Sequence, residues 1–332
     1  MDQLEYIETI EKDFHGIIKK LFPNNFLQSS GSSGGDFHGH FAKQNLYYQN
    51  TDYSYKGDLT FFHLTSYQNL FSILNSRAIR MYNLHNANDP EEFEFSAKLF
   101  NPNKQEIDFR KTNIYTFSFC PMSEIKNEKV WAKYGQDFAG VAIIFKIVND
   151  TSKWDNFNLS DIKYNLSPTL ETYVKEINAL KEKYPGCTFY LELEKIMAFH
   201  KKEEWKDEKE VRILTYNPYK NWDERLKFSK RELRIEENRN RFTEYIDLNL
   251  WVDNSSAYLE NRHGDPMVDR KQNLPTADYF ETTPKIVISD IRFGHNCGLT
   301  NQEYYKFKIE IEELIRFNFG YKIEMENNLY KF

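Results

Sequence analysis

The chain has 332 residues, 44 Lys and Arg against 50 Asp and Glu, and a formal net charge of −6, so it exerts no global pull on nucleic acid and leaves open only a local basic patch. Its length suffices for one large core or two small ones. No apolar run approaches the roughly 18–20 residues of a membrane span, and the acidic start Met-Asp-Gln-Leu-Glu-Tyr-Ile-Glu lacks the basic and apolar parts of a secretory signal, so cytoplasmic residence with no membrane partner is expected.

Leu4, Ile7, Ile10, Phe14, Ile17, Ile18 and Leu21 recur near helical spacing and predict an amphipathic helix over 3–22, ended by Pro23. Residues 28–35, Gln-Ser-Ser-Gly-Ser-Ser-Gly-Gly, carry no packing side chains and predict a flexible loop, with a substrate lid as the sharper reading. His38 and His40 follow without an evident carboxylate or cysteine partner, so no metal site is expected there. The first strand of the main domain is predicted at 58–64, and Ser66 caps a helix carrying Leu70, Ile73 and Leu74. Asn86 to Glu92 reads as a turn whose Pro90 and acidic residues start a helix running to about Phe100. A strand at 113–119, a helix near 127–135 and a strand at 140–147 come next, the last apolar and β-branched enough to be buried on both faces.

Ser167-Pro168 opens a helix to about Lys183 with Gly186 beyond it, and 189–201 is expected to be helical again. Strands are predicted at 210–216, 244–248 and 285–293. The segment 224–241, rich in both charges, reads as a solvated helix or hairpin face, with an anion- or nucleic-acid-contacting patch as the minority alternative. Thr300-Asn-Gln-Glu303 has capping-box spacing for a helix to about Phe317, and 320–326 suits a short edge strand. Three cysteines, Cys120, Cys187 and Cys297, lie far apart with no Cys-x-x-Cys, which argues against a disulfide framework and a zinc site. Several strands follow one another without a crossover helix, so the expected fold is α+β, with mixed or antiparallel sheets flanked by helices. Residues 1–57 read as a helical N-terminal segment with a Gly/Ser loop, and 58–332 as the main domain.

Three blocks carry chemistry. Phe61-Phe62-His63-Leu64-Thr65-Ser66 ends a strand and opens a helix; Tyr115-Thr-Phe-Ser118-Phe is a strand followed by Trp131-Ala-Lys-Tyr134 on a helix; Glu208-Lys-Glu210-Val-Arg212 opens a further strand. A histidine, a hydroxyl-bearing aromatic strand and a strand-opening glutamate lining one cleft would suit a nicotinamide dinucleotide. Breaking its nicotinamide–ribose bond develops positive charge on the anomeric carbon, as in glycoside hydrolysis, and a pre-positioned carboxylate stabilises it. Simpler readings stand beside these. Glu210 and Arg212 alternate on one strand face and suit an ordinary ion pair; Trp131 suits a core or cleft wall; Asn88-Asp89-Pro90 suits a turn whose Asp89 could reach the cleft.

His63-Leu-Thr-Ser, Leu70-x-x-Ile73-Leu74, Asn88-Asp89-Pro90-Glu91, Phe117-Ser118, Val130-Trp131-Ala-Lys-Tyr134, Gly140-Val141-Ala-Ile-Ile-Phe145, Glu208-Lys-Glu210-Val-Arg212 and Ile288-Ser-Asp-Ile-Arg-Phe-Gly294 together resemble a bacterial group known as domain of unknown function 2971, over about residues 58–325. More distantly, the order of histidine strand, Tyr-x-Phe-Ser strand, Trp/Tyr helix and Glu-x-Glu strand resembles the ADP-ribosyltransferase superfamily. That resemblance implies an ADP-ribosyltransferase-like core and NAD as substrate. Glu210 would be the catalytic carboxylate, and Glu208 would complete the Glu-x-Glu spacing of arginine-modifying members. His63 would bond a ribose hydroxyl, with Thr65 beside it. Tyr115 or Tyr134 would stack on nicotinamide, Ser118 would meet its carboxamide, and Trp131 and Asp89 would border the cleft. Arg80 or Arg212 would meet the diphosphate. Leu64 departs from the Gly that often follows the histidine in the eukaryotic branch. The implied activity is transfer of ADP-ribose to a protein or nucleic-acid acceptor, or NAD hydrolysis, without a metal. By analogy it suits a toxin or antiphage effector with an antitoxin or regulatory partner. Three other readings compete: a non-catalytic nucleotide-binding or sensing module, a metal-dependent nucleic-acid-processing enzyme using Glu208, Glu210 and Asp89, and a pure protein–protein interaction module.

Overall fold

In chain order the elements are α1 (Gln3–Leu21), β1 (Leu27–Ser33), β2 (Asp36–Phe41), β3 (Thr60–Thr65), α2 (Tyr67–Ser76), β4 (Ala78–Asn83), α3 (Glu92–Ala97), β5 (Ile114–Pro121), α4 (Glu128–Tyr134), β6 (Val141–Ile147), β7 (Phe157–Asp161), β8 (Lys163–Tyr164), α5 (Pro168–Lys183), β9 (Thr188–Leu191), α6 (Glu194–Met197), β10 (His200–Lys201), β11 (Val211–Tyr216), β12 (Arg231–Glu236), β13 (Arg241–Asn249), α7 (Tyr279–Thr282), β14 (Ile286–Phe293) and α8 (Asn301–Phe319). This computed structural model describes residues 3–23, 27–41, 45–87, 92–97, 107, 111–191, 193–216, 231–236, 241–255, 275 and 277–325. The fold mixes helices with mainly antiparallel sheets, as the run of strands without crossover helices predicts.

The largest sheet turns on β5. One edge of β5 pairs with β11 from Ile114 to Phe119, and β7 lies beyond β11. The other edge is shared. β4 pairs with its beginning, at Tyr115 and Thr116, and β3 pairs with its end, at Cys120 and Pro121. β13 and β12 extend the sheet past β4, whereas β6 and β14 extend it past β3. The sheet is therefore split where β3 and β4 part, and residues 117–119 of β5 face that split.

Side-chain alternation sorts the faces. Tyr115, Phe117, Phe119, Val211 and Ile213 point into the main core, which α2 and α8 close with Leu70, Leu74, Ile311 and Ile315. Ser118 and Arg212, on the opposite parity, point toward a second core that holds Leu214. That second core joins α1, α5, β2 and β9 through Phe14, Phe37, Leu170, Tyr173 and Phe189. A third, smaller cluster packs Val130 and Trp131 of α4 on Phe62, Leu64, Ala142 and Ile144.

Local signals account for many boundaries. Ser66, Ser167 and Thr300 cap α2, α5 and α8 as expected, the last with a complete capping box. Elsewhere tertiary pairing overrides the local reading. Residues 28–35 are not a loop: they form β1 and the turn into β2, with Gly34 at φ 61° and Gly35 at φ 95°. Two successive positive φ values are what a tight hairpin demands, and glycine adopts them without strain. The expected helix at 189–201 is instead β9, the short α6 and β10, because β9 pairs with β2 and β10 with β8. Residues 320–325 form no strand. Of the charge-rich 224–241, Arg231–Glu236 forms β12 against β13, in keeping with a hairpin, and 224–230 and 237–240 lie outside the described residues.

Candidate functional site

Three neighbouring strands bring His63, Ser118 and Glu210 into one hydrogen-bonded chain. His63 leaves β3 where that strand parts from β5, and its Nδ1–H donates to the Ser118 carbonyl at 3.1 Å. The imidazole thus satisfies a carbonyl on the split edge of β5. Its ring lies against Phe117, with centroids 4.6 Å apart. Burial pushes the imidazole pKa down to about 4, outweighing the bond to Ser118, so the ring is neutral and its Nε2 is an acceptor. The Ser118 hydroxyl donates to Glu210 Oε1 at 2.5 Å. His63 and Glu210 do not touch, since each grips a different part of Ser118.

Glu210 stands one residue before β11 and is 5% exposed. Arg212 donates from Nε to Oε1 at 2.8 Å, and Lys201 from Nζ to Oε2 at 2.5 Å. The Glu210 backbone N–H donates to the Tyr164 hydroxyl at 2.8 Å. Burial alone would raise the carboxyl pKa; the Arg212 and Lys201 charges overcome it and hold the group at about 2. Glu208 is the second carboxylate. Lys201 donates to its Oε2 at 2.9 Å and Lys133 to its Oε1 at 2.8 Å, and the Tyr134 hydroxyl also donates to Oε1. Burial opposes ionisation there too, but Lys201, Lys133 and Tyr134 keep the pKa below the usual range. The Cys120 thiol beside them is pushed up to about 12 by burial and by the Glu210 and Glu208 charges, so it is an unreactive thiol.

The other expected site residues are placed as follows. Tyr134 reaches the cluster. Tyr115 does not: its parity turns it to the opposite face of β5 from Ser118, where it is 1% exposed and its hydroxyl donates to Glu244 Oε1 at 2.8 Å. Trp131 is fully buried in the third cluster and its indole N–H donates to the Ile125 carbonyl at 2.7 Å, so neither face nor donor is open to a ligand. Arg212 does not fit a diphosphate-binding role either. It is 2% exposed and held by Glu210, by the Ala198 carbonyl at 2.6 Å, and by Glu92. The simpler reading, an ion pair on one strand face, describes it. Arg80 lies on β4 opposite Asp247, with its guanidinium 4.7 Å from the Tyr245 ring centroid. Thr65 ends β3, buried and paired with Val141. Asp89 lies outside the described residues.

Three residues of the cluster escaped the sequence reading: Lys201, Lys133 and Glu92. Nothing local marks them. The one available signal was the charge run Lys201 to Arg212, where cations and carboxylates alternate closely enough to neutralise one another. Among the described residues no group of three or more His, Cys, Asp or Glu side chains is placed to hold a metal ion. Among the same residues no helix is long and apolar enough to cross a membrane.

A family model described as a protein of unknown function (DUF2971) matches residues 130–213. That stretch begins at Val130 in α4 and ends at Ile213 in β11, so it takes in Trp131, Tyr134, Lys201, Glu208, Glu210 and Arg212. It supports the likeness to that group drawn from the motifs, over the part of the chain that supplies both carboxylates. No curated protein and no solved structure matches the chain.

Proposed function

We propose that the chain binds NAD where β3, β5 and β11 adjoin and cleaves its nicotinamide–ribose bond, passing ADP-ribose to a macromolecular acceptor or to water. The observation that carries this reading is spatial. The histidine strand, the serine strand and the glutamate strand of the superfamily pattern are direct neighbours, and one hydrogen-bond chain runs through His63, Ser118 and Glu210. Glu210 supplies a fixed, ionised carboxylate for the positive charge that develops at the anomeric carbon. His63 packs against Phe117 on the main-core face and bonds the Ser118 backbone carbonyl, so its part is to steady Ser118 rather than to touch the ribose. Tyr134 is the aromatic residue of the cluster that suits the nicotinamide ring.

One observation favours a second reading, a nucleotide-binding module without turnover: Glu210 is deeply buried and both of its oxygens already accept hydrogen bonds. Nicotinamide release from NAD separates the two. Wild-type protein should release nicotinamide, and Glu210→Gln should lower the rate at least a hundredfold while keeping the fold. Release that requires cell lysate would point to a macromolecular acceptor. NAD binding by a folded wild type that releases nothing, with or without lysate, would instead identify the binding module.

A further inference from the structure

Glu210 Oε1 receives Ser118 and Arg212, whereas Oε2 receives Lys201 alone among the described residues. A carboxylate oxygen has two lone pairs, so Oε2 keeps one acceptor position. The same ammonium bonds Glu208 Oε2, and it lies 3.8 Å from Glu92 Oε2. Lys201 is itself placed by β10, whose partner strand β8 carries Tyr164, the acceptor of the Glu210 backbone N–H. One two-stranded unit therefore holds Glu210 by main chain and side chain together.

The geometry points to Lys201 as the positioning residue of this site, the cation that keeps Glu208 and Glu210 side by side as carboxylates. Only the expected change in nicotinamide release rests on the NAD-cleaving reading. Charge balance explains the need. Glu92 from α3, Glu208 from the 203–208 turn and Glu210 before β11 face Lys201 from β10, Lys133 from α4 and Arg212 from β11. Among the described residues, the remaining titratable groups against the cluster are Tyr134, Cys120 and Tyr164, with His63 behind Ser118 and the Lys209–Glu124 pair alongside. Without Lys201 the two carboxylates would confront each other with one cation too few, and one of them would take up a proton near neutral pH.

The test is to titrate the glutamate side-chain carboxyls by carbon-13 NMR in wild type, Lys201→Met and the charge-balanced Lys201→Met/Glu208→Gln. The wild type should show none of these carboxyls protonated at neutral pH. Lys201→Met should gain one, and the double variant should lose it again. In parallel, nicotinamide release by Lys201→Met should fall at least tenfold at pH 6 and recover toward pH 8. A folded Lys201→Met with no neutral-range carboxyl would overturn the assignment. If Lys201→Met does not fold, a folded double variant supports it, and failure of both variants to fold overturns it by showing that Lys201 supplies more than charge. A wild type without nicotinamide release but with this titration pattern would remove the NAD-cleaving reading and leave the role of Lys201 standing.

Discussion

Single buried polar groups in this protein are held in one protonation state by what surrounds them. His200, with no exposed surface, donates from Nδ1 to the Ile196 carbonyl at 3.0 Å and accepts the Ser167 backbone N–H at Nε2, 3.3 Å away. Protonation would place two donors face to face at Nε2, and burial already lowers its pKa to about 4. The folded pKa lies below the unfolded value of about 6.5, so this stabilisation is complete above pH 6.5 and is lost as pH falls toward 4. His63, its pKa lowered by burial to about 4 as well, acts in the same direction. Between pH 6.5 and 5, His200 should contribute a loss of about 1 kcal/mol per pH unit. Urea midpoints across that range should show a markedly flatter slope for His200→Gln than for wild type. Parallel slopes would show that His200 is not the group responsible.

His63, Ser118, Glu208 and Glu210 could be singled out because each belongs to a short motif with a recognisable order. Tyr115 and Ser118 sit in one motif too, yet three positions apart on a strand they face opposite ways, and the motif alone does not say which face holds the carboxylates. Arg212 was readable as an ion-pair partner of Glu210 from its i+2 position. Its partner Glu92 was not, because that pairing depends on how α3 is carried to the sheet.

Among the elements, the turn between α4 and β6 is the most constrained. Gln136, Asp137 and Phe138 all have positive φ, at 52°, 51° and 65°. Three consecutive left-handed residues without glycine cost about 1 kcal/mol each or more, so their surroundings must hold them there. The Phe138 carbonyl accepts the Asn296 backbone N–H at 3.0 Å, and Gly294 donates to the Gly140 carbonyl at 3.0 Å. A Cβ on Gly294 would lie 2.1 Å from the Phe138 carbonyl oxygen. Since that oxygen belongs to the backbone and is already bonded, it cannot move aside freely. Gly294→Ala should therefore destabilise the protein by about 2 kcal/mol or more in urea unfolding, with the loss traceable to this turn. A wild-type midpoint would mean that the turn yields easily and that Phe138 is not pinned. Such a turn is invisible to helix and strand periodicity, whereas the capping box at Thr300 and Glu303 is readable because its partners lie within one helical turn.

At the scale of the whole molecule, the described residues before β3 are built into the same packing as the main domain. Ile10, Phe14, Ile18, Phe22, Phe37, Tyr48 and Tyr53 share the second core with Leu170, Tyr173, Phe189 and Phe199. Strand β2 supplies the pairing partner of β9, and Tyr53 places its hydroxyl 2.5 Å from Ser167 Oγ at the start of α5. Burial of a large apolar side chain is worth about 1.5–3 kcal/mol, so seven of them give an upper limit of roughly 10–20 kcal/mol, set against a typical net stability of about 5–15 kcal/mol. A chain starting at residue 58 should lose cooperative unfolding and bind a hydrophobic dye, as read by circular dichroism and dye fluorescence. A sharp, wild-type-like transition would show instead that the main domain is autonomous.

What the sequence determines by itself is short-range. Caps at Ser66, Ser167 and Thr300, the apolar run of β6, and the short motifs that hold His63, Ser118 and Glu210 each follow from residues within a few positions of one another. Only the tertiary structure decides that Gln28 to Gly35 pairs into a hairpin, that 188–201 splits into two short strands around a helical turn, and that Lys201 stands between Glu208 and Glu210. The physical reason is the same in each case. Backbone pairing and buried charge neutralisation depend on which distant segment arrives alongside, and a segment's own composition does not specify its neighbour.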